Sequence, residues 1–419
     1  MNVAIVGSGI SGLTAAHVLS RKHRVKVFES GDYIGGHTNT IDVREGDRSI
    51  PVDTGFIVFN QPNYPNLCRL FDQLGVESRE SDMGFSVRCE KSGIEYNGSS
   101  LDLLFVQRSN VVRPSHWRMI VEILRFHREA PAQLREGLDD SISVGSYLTR
   151  HRFSSAFERR YLLPLGASLW SCSAAQFSSF PMRFVIEFLQ NHRMLQVEGR
   201  PVWKTVRGGS REYVRRLVSR MKADVRLNTP VAGVRRKANG VDVRLIDGPT
   251  ERFDEVVMAC HADQSLHLVE DADGLEHDVL VRFPYQPNEV VLHTDTRMLP
   301  ARRKAWASWN YRIPQRARSD VTVSYNMNML LGIESERTYC VSLNLASEID
   351  PSKVIRRIRY EHPLFTPGRS VAQSYHGDLI RRRGISYCGA YWGYGFHEDG
   401  VRSALNVCAA FDQGLERAA

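Results

Sequence analysis

The sequence predicts an α/β fold in which a parallel, nucleotide-binding type of unit is interleaved with a second unit of antiparallel sheet plus helices. Three observations carry this. A short apolar run, residues 2–6, leads at once into Gly7-Ser8-Gly9-Ile10-Ser11-Gly12 and an apolar helical stretch from Leu13 to Arg21. Strand-like alternation returns after Gly208-Gly209, beyond a helix-rich middle. The chain then closes on a short strand, a glycine- and aromatic-rich loop, and a helix with apolar positions at 401, 404, 405, 408, 411 and 415. That spacing gives one buried helix face.

The chain's 419 residues, 42% hydrophobic and 24% charged, exclude a small binding module and a disordered chain. A net charge of +8 favours anionic partners such as phosphates or lipid head groups. No nucleic-acid-binding module is apparent. The seven cysteines are scattered, and none forms C-x-x-C. This argues against a disulfide framework and a structural zinc site, and for a reducing cytoplasm. Val3–Leu19 lacks acidic and basic residues apart from His17, but it has no basic flank and is punctuated by glycines, so it is not read as a signal peptide. Tyr161–Met182 runs for 22 residues without a charge or histidine. Pro164, Gly166 and Pro181 make it a buried helix–loop–helix lining an apolar pocket rather than a span.

In chain order, Arg24–Phe28 is the second strand, ending at Glu29. A turn-rich stretch follows, then a helix from Asn66 and short strands at Phe85–Arg88 and Glu95–Tyr96. Helical periodicity marks Trp117–His127, Ser143–Arg152, Ser155–Leu163 and Arg183–Met194. Arg211–Lys222 reads as a basic helix. Strands follow at Asp224–Leu227, Val231–Arg235, Val241–Leu245 and Glu255–Ala259, then at residues 288–295, 304–311, 320–326 and 338–345. The expected partition is a nucleotide unit of residues 1–60, 205–270 and 384–419, with a substrate unit of 61–204 and 271–383.

Each glycine of the first motif has a mechanical role. Gly7 permits the tight strand-to-helix turn, Gly9 lets backbone approach a pyrophosphate, and Gly12 lets helix and strand pack closely. The helix start at Ile10 and Ser11 directs free N–H groups at the phosphates. Glu29, with Ser30 beside it, accepts hydrogen bonds from ribose hydroxyls and disfavours a 2′-phosphate. Gly35-Gly36-His37-Thr38 is not needed for NAD and resembles the extended motif of FAD-binding oxidoreductases. Asp53-Thr54-Gly55-Phe56 fits the next flavin contact of that pattern. In the terminal run from Cys388 to Gly400, four glycines among four aromatics let backbone close over a flat ring system. Gly389, Trp392, Phe396, His397 and Glu398 are the expected contacts there, and the following helix points its N-terminus at the ring edge where negative charge develops on reduction.

Taken whole, the chain resembles the flavin-containing amine oxidase superfamily, which includes the phytoene-type desaturases. Within it, Gly36-His37-Thr38, Trp309-Asn310-Tyr311, Tyr325-Asn326-Met327-Asn328 and Gly395–Gly400 resemble a bacterial branch associated with cyclopropane-fatty-acid-synthase-like methyltransferases. The resemblance implies noncovalent FAD, with the backbone of Val231 beside the adenine and Ala259 to His261 closing the dinucleotide site. One departure is Ala390, where many amine oxidases carry an acidic residue after the glycine. No metal ligand is expected.

The same resemblance implies a lipid acyl chain as substrate, desaturated as in furan fatty acid synthesis. An amine or polyamine oxidase, a carotenoid-type desaturase, and a non-catalytic accessory of a methyltransferase are the alternatives. Apolar lining is expected from Tyr161–Met182, Phe184–Leu189 and Met327–Leu331. His397 and Tyr325 are the catalytic candidates. The basic stretches Arg211–Arg220, Arg356–Arg359 and Arg381–Arg383 are expected to face anionic phospholipid, so a cytoplasmic protein would meet the inner face of a membrane from outside.

Overall fold

The computed structural model describes residues 1–316 and 318–416; Ala317 and residues 417–419, assigned from sequence to the substrate and nucleotide units respectively, lie outside the described residues. A five-stranded, all-parallel sheet has the order Ile385–Tyr387, Glu255–Met258, Asn2–Val6, Arg24–Phe28, Asp224–Arg226. Its strands are short apolar runs because both faces are covered. Val3, Ile5, Val25, Val27 and Val257 pack on helices Ile10–Leu19, Pro65–Leu74, Arg211–Arg220 and His397–Ala409. Ala4, Val6, Phe28, Val256 and Met258 face the antiparallel meander Val231–Lys237, Gly240–Leu245, Thr250–Phe253. Helix Ile10–Leu19 is buried along its whole length, which is why it lacks the polar stripe of a surface helix.

The second unit is built on a seven-stranded sheet of order Val354–Pro363, Tyr285–His293, Cys340–Leu343, Val323–Asn326, Trp309–Ile313, Phe85–Cys89, Ile94–Asn97. Neighbours are antiparallel except Trp309–Ile313 with Phe85–Cys89, which run parallel. A helical layer buries Phe126, Phe157, Trp170, Phe177, Phe180 and Phe188 in one aromatic cluster. The uncharged Tyr161–Met182 stretch breaks into helices Leu163–Leu169 and Ala174–Ser178. No helix among the described residues is long and apolar enough to cross a membrane.

Two elements depart from the sequence expectation. The turn-rich stretch after Glu29 contains a hairpin, Thr40–Glu45 with Arg48–Asp53. Only Val43, Ile50 and Val52 of its hydrophobic residues are buried, so alternation is faint. The basic stretch Arg356–Arg359 lies inside the longest strand, Val354–Pro363. It is an edge strand, and its outward arginines hide the period-two pattern while blocking further pairing.

Candidate cofactor cleft and active site

A cavity of about 1340 Å³ runs between the two units, larger than the roughly 300–1,000 Å³ of an ordinary small-ligand pocket. One end is backbone. Gly7 takes φ +105°, and its N–H donates to the Phe28 carbonyl (2.8 Å), tying the turn to the second strand. A Cβ on Gly12 would overlap the Gly7 carbonyl oxygen, whereas one on Gly9 would meet nothing within 4 Å. Gly12 therefore lies under the turn and Gly9 faces the open cleft. Glu29 is fixed at its rim, with Oε2 accepting from the Ser8 N–H (2.9 Å) and Oγ (2.7 Å) and Oε1 from the Gly31 N–H (2.8 Å). Ile10, Ser11, Ser30, Val231 and Ala259 line the same end.

The two glycine loops abut. A Cβ on Gly36 would come within 3.2 Å of the Gly9 Cα. Gly35, at φ +126°, donates its N–H to Ser8 Oγ (3.3 Å). The Phe56 N–H donates to the His37 carbonyl (2.8 Å) and the Thr54 N–H to that of Asn39 (2.9 Å), so the segments carrying His37 and Thr54–Phe56 form one wall. Behind it, the buried Asp53 carboxylate accepts from Thr40 Oγ1 (2.6 Å), the Ser210 N–H (2.9 Å) and Ser210 Oγ (2.8 Å). Burial pushes Asp53 up to about 6 despite those donors.

The terminal loop forms the floor. Gly389, Ala390, Tyr391 and Tyr394–His397 line the cleft. Asp399 caps helix His397–Ala409 by accepting from the Tyr394 and Phe396 N–H groups (both 3.0 Å). Arg369 holds the loop from behind, donating to the Tyr391 carbonyl (3.0 Å) while its guanidinium stacks 3.5 Å from the Phe365 ring centroid. The His397 ring stacks on Phe56 (3.7 Å between centroids), and its Nε2 lies 3.1 Å from Thr38 Oγ1 and 3.3 Å from the Tyr213 hydroxyl. Thr38 and Tyr213 also bond each other. Burial pushes His397 down to about 3, so the ring is neutral. Its ring nitrogen is engaged in holding the wall to the floor, while the His397 and Glu398 N–H groups at the start of the helix have no intrahelical partner.

Two further histidines face His37. Its ring stacks on Tyr360 (4.8 Å) and lies 5.4 Å from His362 and 6.4 Å from His261, which stacks on Tyr285 (4.1 Å). His261 also lies 3.3 Å from the Glu361 carboxylate. Burial holds His37 well below its usual range and His362 at about 4.

The far end is apolar. Ile57, Val58, Met83, Trp170, Phe188 and Trp309 line it, with Tyr325 set edge-on to Trp309 (4.8 Å). Burial raises the Tyr325 phenol, which stays protonated. Beside it Ser171 sits at φ +50°, a left-handed conformation unusual for a non-glycine residue. The Ser171 carbonyl accepts from Gln286 Nε2 (2.6 Å) and Asn288 Nδ2 (3.1 Å), which hold it there. Asp82 supplies a carboxylate to this wall; its Oδ1 accepts from the Gly84 N–H (2.8 Å) and Ser308 Oγ (2.7 Å).

Four residues expected at the cofactor lie off the cleft surface. Gly12 is beneath the turn, and Thr38 is buried behind His397. Trp392 stacks on His376 (4.3 Å) inside the nucleotide unit's core. Glu398 turns the other way, accepting from the N–H groups of Asn66 (3.2 Å) and Leu67 (2.9 Å) and from Asn66 Nδ2 (2.6 Å). It thus caps helix Pro65–Leu74, whose exposed N–H groups attract a carboxylate. Met327–Leu331, expected as lining, packs into the core under the seven-stranded sheet. Sequence reading missed Tyr285, Tyr360 and His362, which lie on two strands paired only in three dimensions.

FAD fits what is present. Gly9 leaves backbone open to a pyrophosphate, Glu29 is set for ribose, and His37 Nε2 is a buried ring nitrogen without a protein partner. A buried polar atom of that kind calls for a ligand. Solved structures share the fold across 98% of both chains: cyclohexylamine oxidase from Brevibacterium oxydans (16% identity, TM-score 0.68) and a fatty acid isomerase from P. acnes that produces CLA (14%, 0.66). A Mycobacterium tuberculosis protein named flavin-containing monoamine oxidase AofH is 26% identical over 256 residues, 60% of this chain; the match spans about half (55%) of that relative's length. The model of the family described as flavin containing amine oxidoreductase matches residues 10–304. The chain therefore belongs to the flavin-containing amine oxidoreductase family, and its cofactor is FAD, held noncovalently.

Proposed function

We propose that the protein is a FAD-dependent oxidoreductase that dehydrogenates a fatty acyl chain. The apolar far end of the cleft carries this reading. Its walls of Ile57, Val58, Met83, Trp170, Phe188 and Trp309 suit a long hydrocarbon, which is recognised by shape and exclusion of water rather than by directed bonds. The fold alone does not choose a substrate, since it also serves proteins named for cyclohexylamine and for a fatty acid. The branch motifs at Trp309–Tyr311 and Tyr325–Asn328 support a methyl-branched unsaturated acyl chain on a phospholipid, as in furan fatty acid synthesis. They likewise support a cyclopropane-synthase-like methyltransferase as the source of the branch.

Bound FAD would supply the hydride acceptor for the chain. The protein's own part is positional. The His37–Phe56 wall and the loop closed by Arg369 and Asp399 fix where the ring system lies. The helix start at His397 aims unpaired N–H groups at developing negative charge. The aromatic walls set which carbon is presented, and Tyr325 offers a neutral hydroxyl as donor. A proton leaves the neighbouring carbon, and Asp82 is the carboxylate on the substrate-side wall able to take it.

Asp82 also favours a second reading, an amine oxidase in which this carboxylate anchors the substrate cation. Anaerobic titration of the flavin-loaded protein decides. Bleaching of the flavin absorbance by methyl-branched acyl lipid, with none by spermine or putrescine, supports acyl dehydrogenation. Bleaching by amines alone overturns it. No bleaching by either class supports a non-catalytic accessory role.

A further inference from the structure

Exposed large apolar side chains are concentrated on one part of the molecule. Leu101 (75% exposed), Val112 (80%) and Val121 (62%) stand out, with Val111, Trp117 and Leu124 beside them. Val111 and Val112 end the turn Arg108–Val112, and Trp117, Val121 and Leu124 follow at i, i+4 and i+7 on helix Pro114–Arg135. That spacing places all three on one side of the helix. The other side is already packed, with Met119, Phe126 and Ala130 buried. The outward stripe is therefore a second apolar face. Trp117 is held on it by its indole N–H, which donates to the Val111 carbonyl (2.8 Å), and by the Phe105 ring at 4.8 Å.

The charges around the stripe have one dominant sign. Between residues 101 and 135 there are six arginines and three acidic residues. Arg108, Arg118 and Arg128 are well exposed at its edges. Of the helix's two carboxylates, Glu122 turns inward to the Ser154 N–H (3.1 Å), and Glu129 lies between Arg125 and Arg128. The stripe also adjoins the cleft. Ser99, two residues before Leu101, lines it.

We infer that this stripe docks on a bilayer bearing anionic headgroups. Trp117, Val121 and Leu124 enter the boundary between headgroups and acyl chains, and the flanking arginines meet the phosphates. An exposed tryptophan suits that boundary because its ring is apolar and its N–H polar. The arginines singled out from sequence are tied to other parts of the protein, Arg211 to Asp42, Arg357 to Glu289, Arg381 to Glu255 and Arg382 to Asp273, whereas Arg108, Arg118 and Arg128 pair only locally, with Asp102, Glu122 and Glu129. The docking surface extends the acyl-chain reading by bringing the cleft to its substrate, yet it is testable without turnover.

The test is co-sedimentation of the flavin-loaded full chain with vesicles of phosphatidylcholine alone or mixed in equal parts with phosphatidylglycerol. Binding is expected to the mixed vesicles only, and to weaken with added salt. Val121→Ser with Leu124→Ser should weaken it roughly tenfold or more. Arg118→Gln with Arg128→Gln should weaken it comparably; both pairs of positions lie outside the cleft lining and leave the flavin spectrum unchanged. Brominated lipid should quench part of the tryptophan emission, and that part should vanish in Trp117→Phe. Failure of the unmodified protein to bind, or binding untouched by V121S/L124S, overturns the assignment. So does a dimer in sedimentation that this pair dissociates, which gives the stripe to a second copy. Vesicle binding without bleaching by any acyl lipid removes the substrate reading alone; bleaching by dispersed lipid without vesicle binding removes the docking surface alone.

Discussion

The two ends of the cleft are built from different materials. The nucleotide end is made of main chain: Gly7, Gly35 and Gly36 bring two loops together where side chains would intrude, Gly9 leaves the cleft open, and one carboxylate, Glu29, marks the rim. The far end is made of side chains from segments distant in sequence, with Trp170, Phe188, Trp309 and Tyr325 converging from helices and strands. The first kind of site is fixed by sterics that tolerate almost no change. The second is fixed by packing, so its shape can be altered piece by piece while the fold persists.

The largest expected effect lies at the nucleotide end. Gly12→Ala places a methyl group against the Gly7 carbonyl, and relief requires the helix to leave the sheet. The loss should be about 1–3 kcal/mol or more, seen as a lowered melting temperature and absent flavin colour. Gly9→Ala sharpens the point, because its methyl group meets only open cleft. That variant should melt normally as apoprotein yet bind FAD much more weakly by absorbance titration. Equal destabilisation by both would break the distinction between a packing glycine and a ligand-facing one.

Acid should act next. For His362, at about 4 in the folded chain, and His397, at about 3, the folded values lie below the ordinary ~6.5. The unfolded chain then takes up protons that the folded chain refuses. Stability is complete above about pH 6.5 and declines as pH falls towards 4, by up to about 3 kcal/mol per buried ring. Denaturant unfolding at pH 7 and pH 5 measures this, and His397→Asn should flatten the slope. An unchanged slope would mean that this ring is charged in the folded protein.

A smaller effect tests the reassigned Glu398. Glu398→Gln keeps the shape but removes the charge from the start of helix Pro65–Leu74, at an expected cost of about 1–2 kcal/mol with FAD affinity unchanged. A loss of affinity without a loss of stability would return Glu398 to the cofactor. Smallest of all on stability is Asp82→Asn, within about 0.5 kcal/mol. Its value is kinetic: a fall in the rate of flavin bleaching at saturating acyl lipid marks a proton acceptor, whereas a raised KM for an amine marks an anchor.

The same contrast explains what the sequence disclosed. Glycines with a steric duty announce themselves locally, so the Gly7–Gly12 turn, Glu29, Gly35-Gly36 and the terminal loop are all legible from one stretch of chain. Direction is harder to read. Trp392 and Glu398 sit in the right loop, but a ring or carboxylate there can turn to core, cleft or neighbouring helix, and only the packed neighbours His376 and Asn66 decide. The His37, His261 and His362 group was illegible because its members come from three distant segments, the loop after Gly36, the N-cap of helix Ala262–Leu268 and strand Val354–Pro363. That the stripe of Pro114–Arg135 faces outward was illegible for a related reason. Periodicity reports that a helix has an apolar face, but not that it has two.

The five-stranded sheet has a consequence for how the chain comes to life. Its central strand, Asn2–Val6, pairs with Glu255–Met258, which in turn pairs with Ile385–Tyr387. At roughly 5–20 residues per second, the first strand emerges from the ribosome tens of seconds before the partner on its inner side exists. The terminal loop follows later still. Sheet formation must wait for contacts of very long sequence separation, a topology that folds slowly. In the interval Val3, Ile5 and helix Ile10–Leu19, buried along its whole length in the finished fold, are bare, a target for chaperones. Cofactor loading therefore waits for the terminal loop, because Gly389–Tyr391 and Tyr394–His397 complete the cleft.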